Sequence, residues 1–560
     1  MLKNSYLLIN FLVKVINKVL ISRPNIIPLI LISSYLPHII YVLIKSPDWD
    51  IYNNLYFGYR LLDGELLWTV EFHDKFPILQ YIFGLPALFK SLFVWKLIAF
   101  STHLISTLLL YKASILILNK VWGKSENIYK LLAKYIGVIY FVSPFFEGMQ
   151  VNLDGFNHFS NTSSNLFCIS LSIIILKFDI FIKKNFFNYK LFWVCLTLTS
   201  IATSIRPYYI PVAILIGFWI PFREINLKNL RFSWIKIFRY FLSWNILLFL
   251  ITVFINFLPY IITNNIDTVI DGVILNSQDI NPQSAEQTLF LQLYFWNLSN
   301  IKYLFLIPSA YIIHLIFISK KRDIFFFNKN RILYSPDFIF LALVSPLLLQ
   351  IMIFKKHFWP HYSLLFLPFI SFLLLGVISI YLENDIINNN IHRIRFTKFI
   401  SFLFISIILL FESLKGFKDL IRYEPSKKPL VQISKIINDY SISKYDKLSF
   451  IDFTGQRIHL KLNKGREGFP HPAHISHLEK NWYKNKKITI PNSFKNKFPL
   501  DIHSLFSNII KADTKIIIVN KNGKLNNYLN ESQLFKRNQF LSSKMRKLFD
   551  QEAIIYERIQ

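Results

Sequence analysis

The sequence predicts an α-helical polytopic membrane protein of about 11 transmembrane helices, followed by a small soluble α/β domain. Three observations predict it. Apolar residues make up 53% of the 560 positions, 56 of them Phe, against only 17% charged, and the mean hydropathy of +0.38 is well above that of a soluble enzyme. Apolar runs of about 15 to 28 residues recur between residues 24 and 414, long enough for helices to cross a bilayer. In hydrocarbon the backbone must satisfy its own hydrogen bonds, so these runs read as helices. From about residue 420 the runs stop, and a mixed polar sequence with short β-like stretches takes over.

Residues 1–23 have a basic start and no small-residue cleavage site before Pro24, which reads as an amphipathic cytoplasmic lead-in and not a cleaved signal. Spans are expected at 24–44, 91–118, 132–147, 163–182, 191–205, 207–222, 237–263, 303–319, 336–354, 362–382 and 398–414. The connecting loops test this arrangement. Lys120, Lys124 and Lys130, then Lys183 and Lys184, then Arg223, Lys228 and Arg231, then Lys320, Lys321 and Arg322, then Arg393 and Arg395 all fall on one side, together with residues 1–23. By the positive-inside rule that side is cytoplasmic. The other side receives 46–76, the loop near 148–162, the loop 264–302, Lys355–His361 and the whole tail 420–560. Residues 77–90 are apolar but interrupted by Gly84 and Pro86, and read as a helix lying at the interface. In the tail, Leu448–Phe453 and Lys515–Asn520 read as strands, and 430–440 and 501–511 as amphipathic helices.

A net charge of +30 could serve nucleic acid, but the basic residues lie between apolar runs and in the tail, which suits topology and membrane lipids; no nucleic-acid partner is expected. The two cysteines, Cys168 and Cys195, lie in apolar runs and support neither a disulfide framework nor a metal site.

The external segment Ser46–Tyr81 is acidic within this basic chain, with Asp48, Asp50, Asp63, Glu65, Glu71 and Asp74 against Arg60 and Lys75. Asp48 and Asp50 can be a solvated acidic stretch, a general base for an acceptor hydroxyl, or oxygen ligands of a divalent cation. Asp74 and Lys75 precede Pro77: either an interfacial turn with a snorkelling lysine, or a cation set beside a lipid phosphate. Arg206 stands between two apolar runs, where an arginine is costly and faces a polar cavity or an anion; a tight turn at Pro207 is the plainer reading. Lys356, His361 and Tyr362 lie in a basic, aromatic stretch before another span, either a membrane-interface belt or donors to sugar and phosphate. His471, His474 and His477 lack accompanying cysteines and read as a solvated loop.

Together these features resemble the GT-C superfamily of membrane glycosyltransferases, most nearly the protein mannosyltransferase and aminoarabinose transferase group. The resemblance rests on the acidic first external segment, the turn at Gly64, Asp74-Lys75-Phe76-Pro77 before an apolar stretch, and His361-Tyr362 followed by Pro368. Ile51 and Phe76 depart from that group's pattern, standing where Glu and the first proline of Lys-Pro-Pro are usual. The resemblance covers roughly 1–415 and implies a GT-C-like catalytic domain, set at 24–419 with external loop 46–90; the tail 420–560 reads from its own composition and side as an external, periplasmic soluble domain. It implies a polyprenyl-phosphate-linked sugar as donor and a lipid, glycan or protein acceptor, with the active site facing outward from the cytoplasmic membrane in cell-envelope glycosylation. Asp50 takes the place of the catalytic base and Lys75 that of the phosphate-binding lysine; Arg206 and Lys356 match by setting. The competing readings are an oligosaccharide ligase or oligosaccharyltransferase, which moves a preassembled glycan, a transporter of lipid-linked glycan, for which no internal repeat is visible, and a non-enzymatic scaffold.

Overall fold

Helices form over the apolar runs wherever the computed structural model describes them. The described residues are 26–45, 49–70, 76–122, 127–145, 156–181, 186–223, 234–278, 336–354, 360–375, 413–414, 416–418, 420–422, 429–442, 450–452, 466–467, 485, 487–495, 501–511, 514–521, 524–549 and 553–559. In chain order the helices are α1 (Ile26–Ile44), α2 (Trp49–Leu62), α3 (Ile78–Leu88), α4 (Leu92–Trp122), α5 (Asn127–Val142), α6 (Phe159–Leu176), α7 (Lys190–Ile205), α8 (Ile210–Phe222), α9 (Trp234–Ile262) and α10 (Ile266–Ser277). A π-helical segment, Ile339–Val344, leads into α11 (Ser345–Phe354), and a 3-10 segment, Pro360–Phe366, precedes a further apolar turn of helix reaching Leu375. The tail supplies α12 (Pro429–Ile442), β1 (Phe450–Asp452), β2 (Arg466–Glu467), α13 (Ile502–Lys511), β3 (Ile516–Asn520), α14 (Lys524–Glu531), β4 (Phe535–Arg537), α15 (Gln539–Phe549) and β5 (Ala553–Arg558).

Among the described residues three helices are long and apolar enough to cross a membrane: Leu92–Asn119, Phe159–Leu176 and Ile237–Ile262. At about 1.5 Å per residue, even the shortest spans roughly 27 Å, close to the hydrocarbon thickness. Shorter apolar helices occupy further expected spans, among them Lys190–Ile205 and Pro207–Phe222. The expected span at 303–319, and that at 398–414 apart from Ser413 and Leu414, lie outside the described residues.

The chain divides into two compact units. Unit 1 comprises residues 1–45, 96–253 and 288–422; unit 2 comprises 46–95, 254–287 and 423–560. In unit 1, small and hydroxyl-bearing side chains let α6 and α7 approach closely, as is usual between helices in lipid. Ser163 Oγ donates to the Ala202 carbonyl at 2.8 Å, and Ser170 Oγ lies 2.9 Å from Thr199 Oγ1. Asn165 of α6 joins α4 and α5: its Oδ1 accepts from Tyr140 Oη at 2.8 Å and Ser106 Oγ at 3.0 Å. Around these contacts lies an apolar core containing Phe167, Tyr209, Trp244 and Phe369, in which the Phe167 and Tyr209 rings stack at 4.3 Å. Arg223, at the end of α8, is held in a buried ion pair with Asp337, Nη2 donating to Oδ2 at 2.9 Å.

Unit 2 joins the acidic segment to the tail. Within 46–90 the described residues form two packed helices, α2 and α3, and α3 (Ile78–Leu88) falls within the helix expected over 77–90. Ile51, Tyr52, Leu55 and Tyr56 repeat at helical spacing along α2, and all are buried. A Cβ on Gly58 would lie 2.3 Å from the Phe83 carbonyl oxygen, so glycine permits the close crossing of α2 and α3. The turn between them uses Gly64 at φ +83°. Buried Gln80 closes the hairpin, its Nε2 donating to the Glu65 carbonyl at 2.8 Å and its Oε1 accepting from Leu67 N at 2.9 Å.

The tail forms a five-stranded sheet of order β2-β1-β3-β5-β4, parallel from β2 to β3 and antiparallel from β3 to β4. Strand alternation sends Ile516 and Ile518 toward α12 and α15, and Ile517 and Val519 toward α13 and α14. Helices therefore cover both faces. The second face shares one apolar core with Tyr52, Tyr56, Trp68, Tyr260 and Val269. Gln278 clasps Thr489 in a pair of hydrogen bonds, Nε2 to the carbonyl at 2.7 Å and Thr489 N to Oε1 at 2.8 Å. Such pairings link positions hundreds of residues apart, and no local pattern announces them.

Candidate active site

Proline sets the position of the arginine. Pro207 disfavours helical backbone at the residue before it, and Arg206 adopts φ −135°, ψ 95° between α7 and the 3-10 turn Pro207–Tyr209. The arginine thus stands at a break between two apolar helices. Its side chain is buried, with the residue 4% exposed. Nε donates to Ser160 Oγ at 2.7 Å. The guanidinium carbon lies 4.3 Å from the centre of the Phe159 ring and 5.0 Å from that of Tyr362.

Ser160 and Phe159 open α6. His158 caps this helix, accepting the Ser160 backbone N–H on Nδ1 at 3.1 Å. Tyr362 is fixed from the other side by Tyr208, whose hydroxyl donates to the Tyr362 hydroxyl at 3.3 Å. The arginine therefore meets the start of one helix and the aromatic 3-10 segment 360–366.

What this arrangement can do follows from charge. Removing an unpaired cation from water costs several kcal/mol, and each aromatic contact returns about 0.5 to 2 kcal/mol. Arg223 meets this cost with Asp337. Among the described residues Arg206 has no carboxylate partner, and its Nη2 is buried without a hydrogen-bond acceptor. A planar N–H donor of fixed direction, beside the positive end of a helix, suits an anion such as phosphate.

Asp50 lies in the first turn of α2, half-buried, where a carboxylate is favoured by the helix dipole. Asn54 Nδ2 donates to the Asp50 backbone carbonyl at 2.6 Å. Asp50 belongs to unit 2 and Arg206 to unit 1. The structure thus brings together Arg206 and Tyr362 of the residues expected from sequence. Asp48, Asp74, Lys75 and Lys356 lie outside the described residues, as do His471, His474 and His477, and only the backbone of His361 is described. Among the described residues no group of three or more His, Cys, Asp or Glu side chains is placed to hold a metal ion; Asp48, half of the Asp-x-Asp pair, is outside them.

Sequence reasoning missed Phe159, Ser160 and Tyr208. A signal was present for the first two: His158 to Asn165 is an almost unbroken polar run leading into an apolar span, and every residue in it is buried. Such a run inside a membrane protein marks a polar interior.

No protein-family model and no curated protein matches the chain. Among solved structures, it is similar to the archaeal oligosaccharyltransferase AglB from Archaeoglobus fulgidus, in complex with an inhibitory peptide and a dolichol-phosphate, at 11% identity and a TM-score of 0.47, covering 89% of this chain and 69% of that one. It is also similar to an Archaeoglobus fulgidus oligosaccharyltransferase in complex with Zn and sulfate, at 12% identity and a TM-score of 0.43, with the same coverage.

Proposed function

We propose that this chain is a membrane glycosyltransferase that moves a sugar from a polyprenyl-phosphate donor to an acceptor hydroxyl at the external face of the cytoplasmic membrane. The observation that carries the reading is the buried Arg206 guanidinium, with an N–H that no described residue accepts. The acidic hairpin carrying Asp50 and the GT-C-like motif residues support it from the sequence. The donor reaches the site through the bilayer, since a polyprenyl tail gains about 0.8 kcal/mol per buried CH₂.

In the proposed reaction Asp50 accepts the proton of the acceptor hydroxyl. That oxygen attacks the anomeric carbon as the bond from carbon to the phosphate oxygen breaks. The lipid phosphate leaves with the electron pair, and Arg206, Lys75 and Lys356 hold its charge. Direct displacement inverts the anomeric centre. Asp48, Asp74, His361 and Tyr362 line the donor and acceptor subsites in this reading. The transmembrane catalytic domain covers 24–419, and 420–560 form the external soluble domain.

The test is product analysis by mass with purified protein in proteoliposomes, supplied with a polyprenyl-monophosphate-linked monosaccharide. Acceptor gaining one sugar is expected. Product formed only from a lipid-linked preassembled glycan would replace this reading with the oligosaccharyltransferase one, and glycan moved across the bilayer without transfer would replace it with transport.

A further inference from the structure

Helix α10 turns an apolar stripe outward. Val269, Gly272 and Leu275 turn into the core of unit 2, where a Cβ on Gly272 would lie 2.6 Å from Trp68 Cε3. Opposite them, Ile266, Ile270, Val273 and Ile274 form a stripe with i, i+4, i+7, i+8 spacing, each exposed, Ile270 to 53%. A helix on the water-facing surface of a domain turns polar residues outward. Here the described polar edge holds only Asp267, Thr268 and Asp271, whose Oδ2 accepts from Ser493 N at 3.0 Å.

The apolar stripe has a neighbour of the same character. Helix α9 ends at Ile262 and α10 starts at Ile266. Only Thr263, Asn264 and Asn265 intervene, with Asn264 at φ +57° and Asn265 N bonded to the Tyr260 carbonyl at 2.7 Å. The last turns of α9 expose Phe254, Ile261 and Ile262, as a membrane-crossing helix does toward lipid. The outward apolar surface of a span thus continues, across a tight turn, onto α10.

We propose that α10 is a membrane-surface helix, with its Ile266, Ile270, Val273 and Ile274 face buried at the boundary of headgroups and acyl chains in the leaflet where α9 ends. Val269 and Leu275 share a core with Tyr52 and Tyr56 of α2. The embedded face therefore sets the height above the lipid of the helix that carries Asp50. This inference rests on α9 crossing the membrane, and stands or falls independently of the transfer chemistry.

The test places a single environment-sensitive nitrobenzoxadiazole label at Ile270→Cys and, separately, at Val273→Cys in the full-length protein, reconstituted in phosphatidylcholine vesicles. Cys168 and Cys195 are buried, so unlabelled wild type serves as the background. Lys536→Cys, at an exposed strand position, reports water. Blue-shifted emission at both α10 sites, quenched by lipids carrying a nitroxide near the headgroup and less by those carrying it near the chain end, is expected. Emission matching the Lys536 site overturns the proposal. Blue-shifted emission that lipid nitroxides leave unquenched overturns it too, since the cover is then protein. The two α10 sites are read independently, so one poorly inserting variant leaves the other decisive.

Discussion

Replacing Arg206 by Met separates binding from folding. The methionine stem is close in length to the arginine's and keeps contact with the Phe159 and Tyr362 rings, while the charge disappears. Two quantities should then move differently. Donor binding loses a charge-assisted hydrogen bond to phosphate, worth about 1.5 to 3 kcal/mol, or roughly 10- to 150-fold. Stability loses the Nε bond to Ser160 at 2.7 Å, worth about 1.5 to 3 kcal/mol for a charged donor, and the cation–π part of the two ring contacts. It gains relief from burying an unpaired cation, a cost of several kcal/mol. Thermal unfolding in detergent should therefore be unchanged or raised, while KM for the polyprenyl-phosphate donor rises and KM for the acceptor holds. Arg206→Lys keeps the charge but cannot bond Ser160 and present a second N–H in the same plane, and falls between. A well-folded Met variant with wild-type donor KM would refute the reasoning. So would a large loss of stability with donor KM intact, since Arg206 would then be structural.

Three further outcomes are expected. Tyr362→Phe retains the ring over Arg206 and should leave donor KM nearly unchanged, whereas Tyr362→Leu loses about 0.5 to 2 kcal/mol of cation–π contact and should raise it. Gly58→Ala puts a Cβ 2.3 Å from the Phe83 carbonyl oxygen and should cost about 1 to 3 kcal/mol, read as a lowered unfolding temperature; an unchanged one would mean a looser α2–α3 crossing. Asp337→Leu leaves Arg223 buried and unpaired, costing about 3 to 5 kcal/mol, and adding Arg223→Leu should recover most of it, by the same thermal measurement.

Much of the helical framework was legible because its signal is local. Runs expected at 24–44 and 191–205 match α1 (Ile26–Ile44) and α7 (Lys190–Ile205), and the β-like stretches 448–453 and 515–520 contain β1 and β3. The break at Arg206 was legible too, because proline restricts its neighbour and charge is rare among apolar residues. The helix across Trp49–Leu62 was not: acidic residues drew attention to solvent exposure and masked the apolar spacing of Ile51, Tyr52, Leu55 and Tyr56. Strands β4 and β5 are short or end in charged residues, Lys536, Arg537 and Glu557, and gain their identity only by pairing with β3 and each other. The stack of Arg206 on Tyr362 joins positions far apart in the chain, so sequence named both residues without being able to place them together. Nor does any periodicity show that the tail shares a core with the acidic hairpin.

The central claim is that a carboxylate on the external hairpin drives transfer from a lipid phosphate. Its most direct test compares wild type and Asp50→Asn on one polyprenyl-phosphate-sugar donor, in the same proteoliposomes and at matched insertion. The account predicts product in wild type and a loss of about 10²- to 10⁴-fold in kcat for Asp50→Asn, the usual contribution of a general base, with donor binding retained. Equal turnover in the two proteins would contradict it.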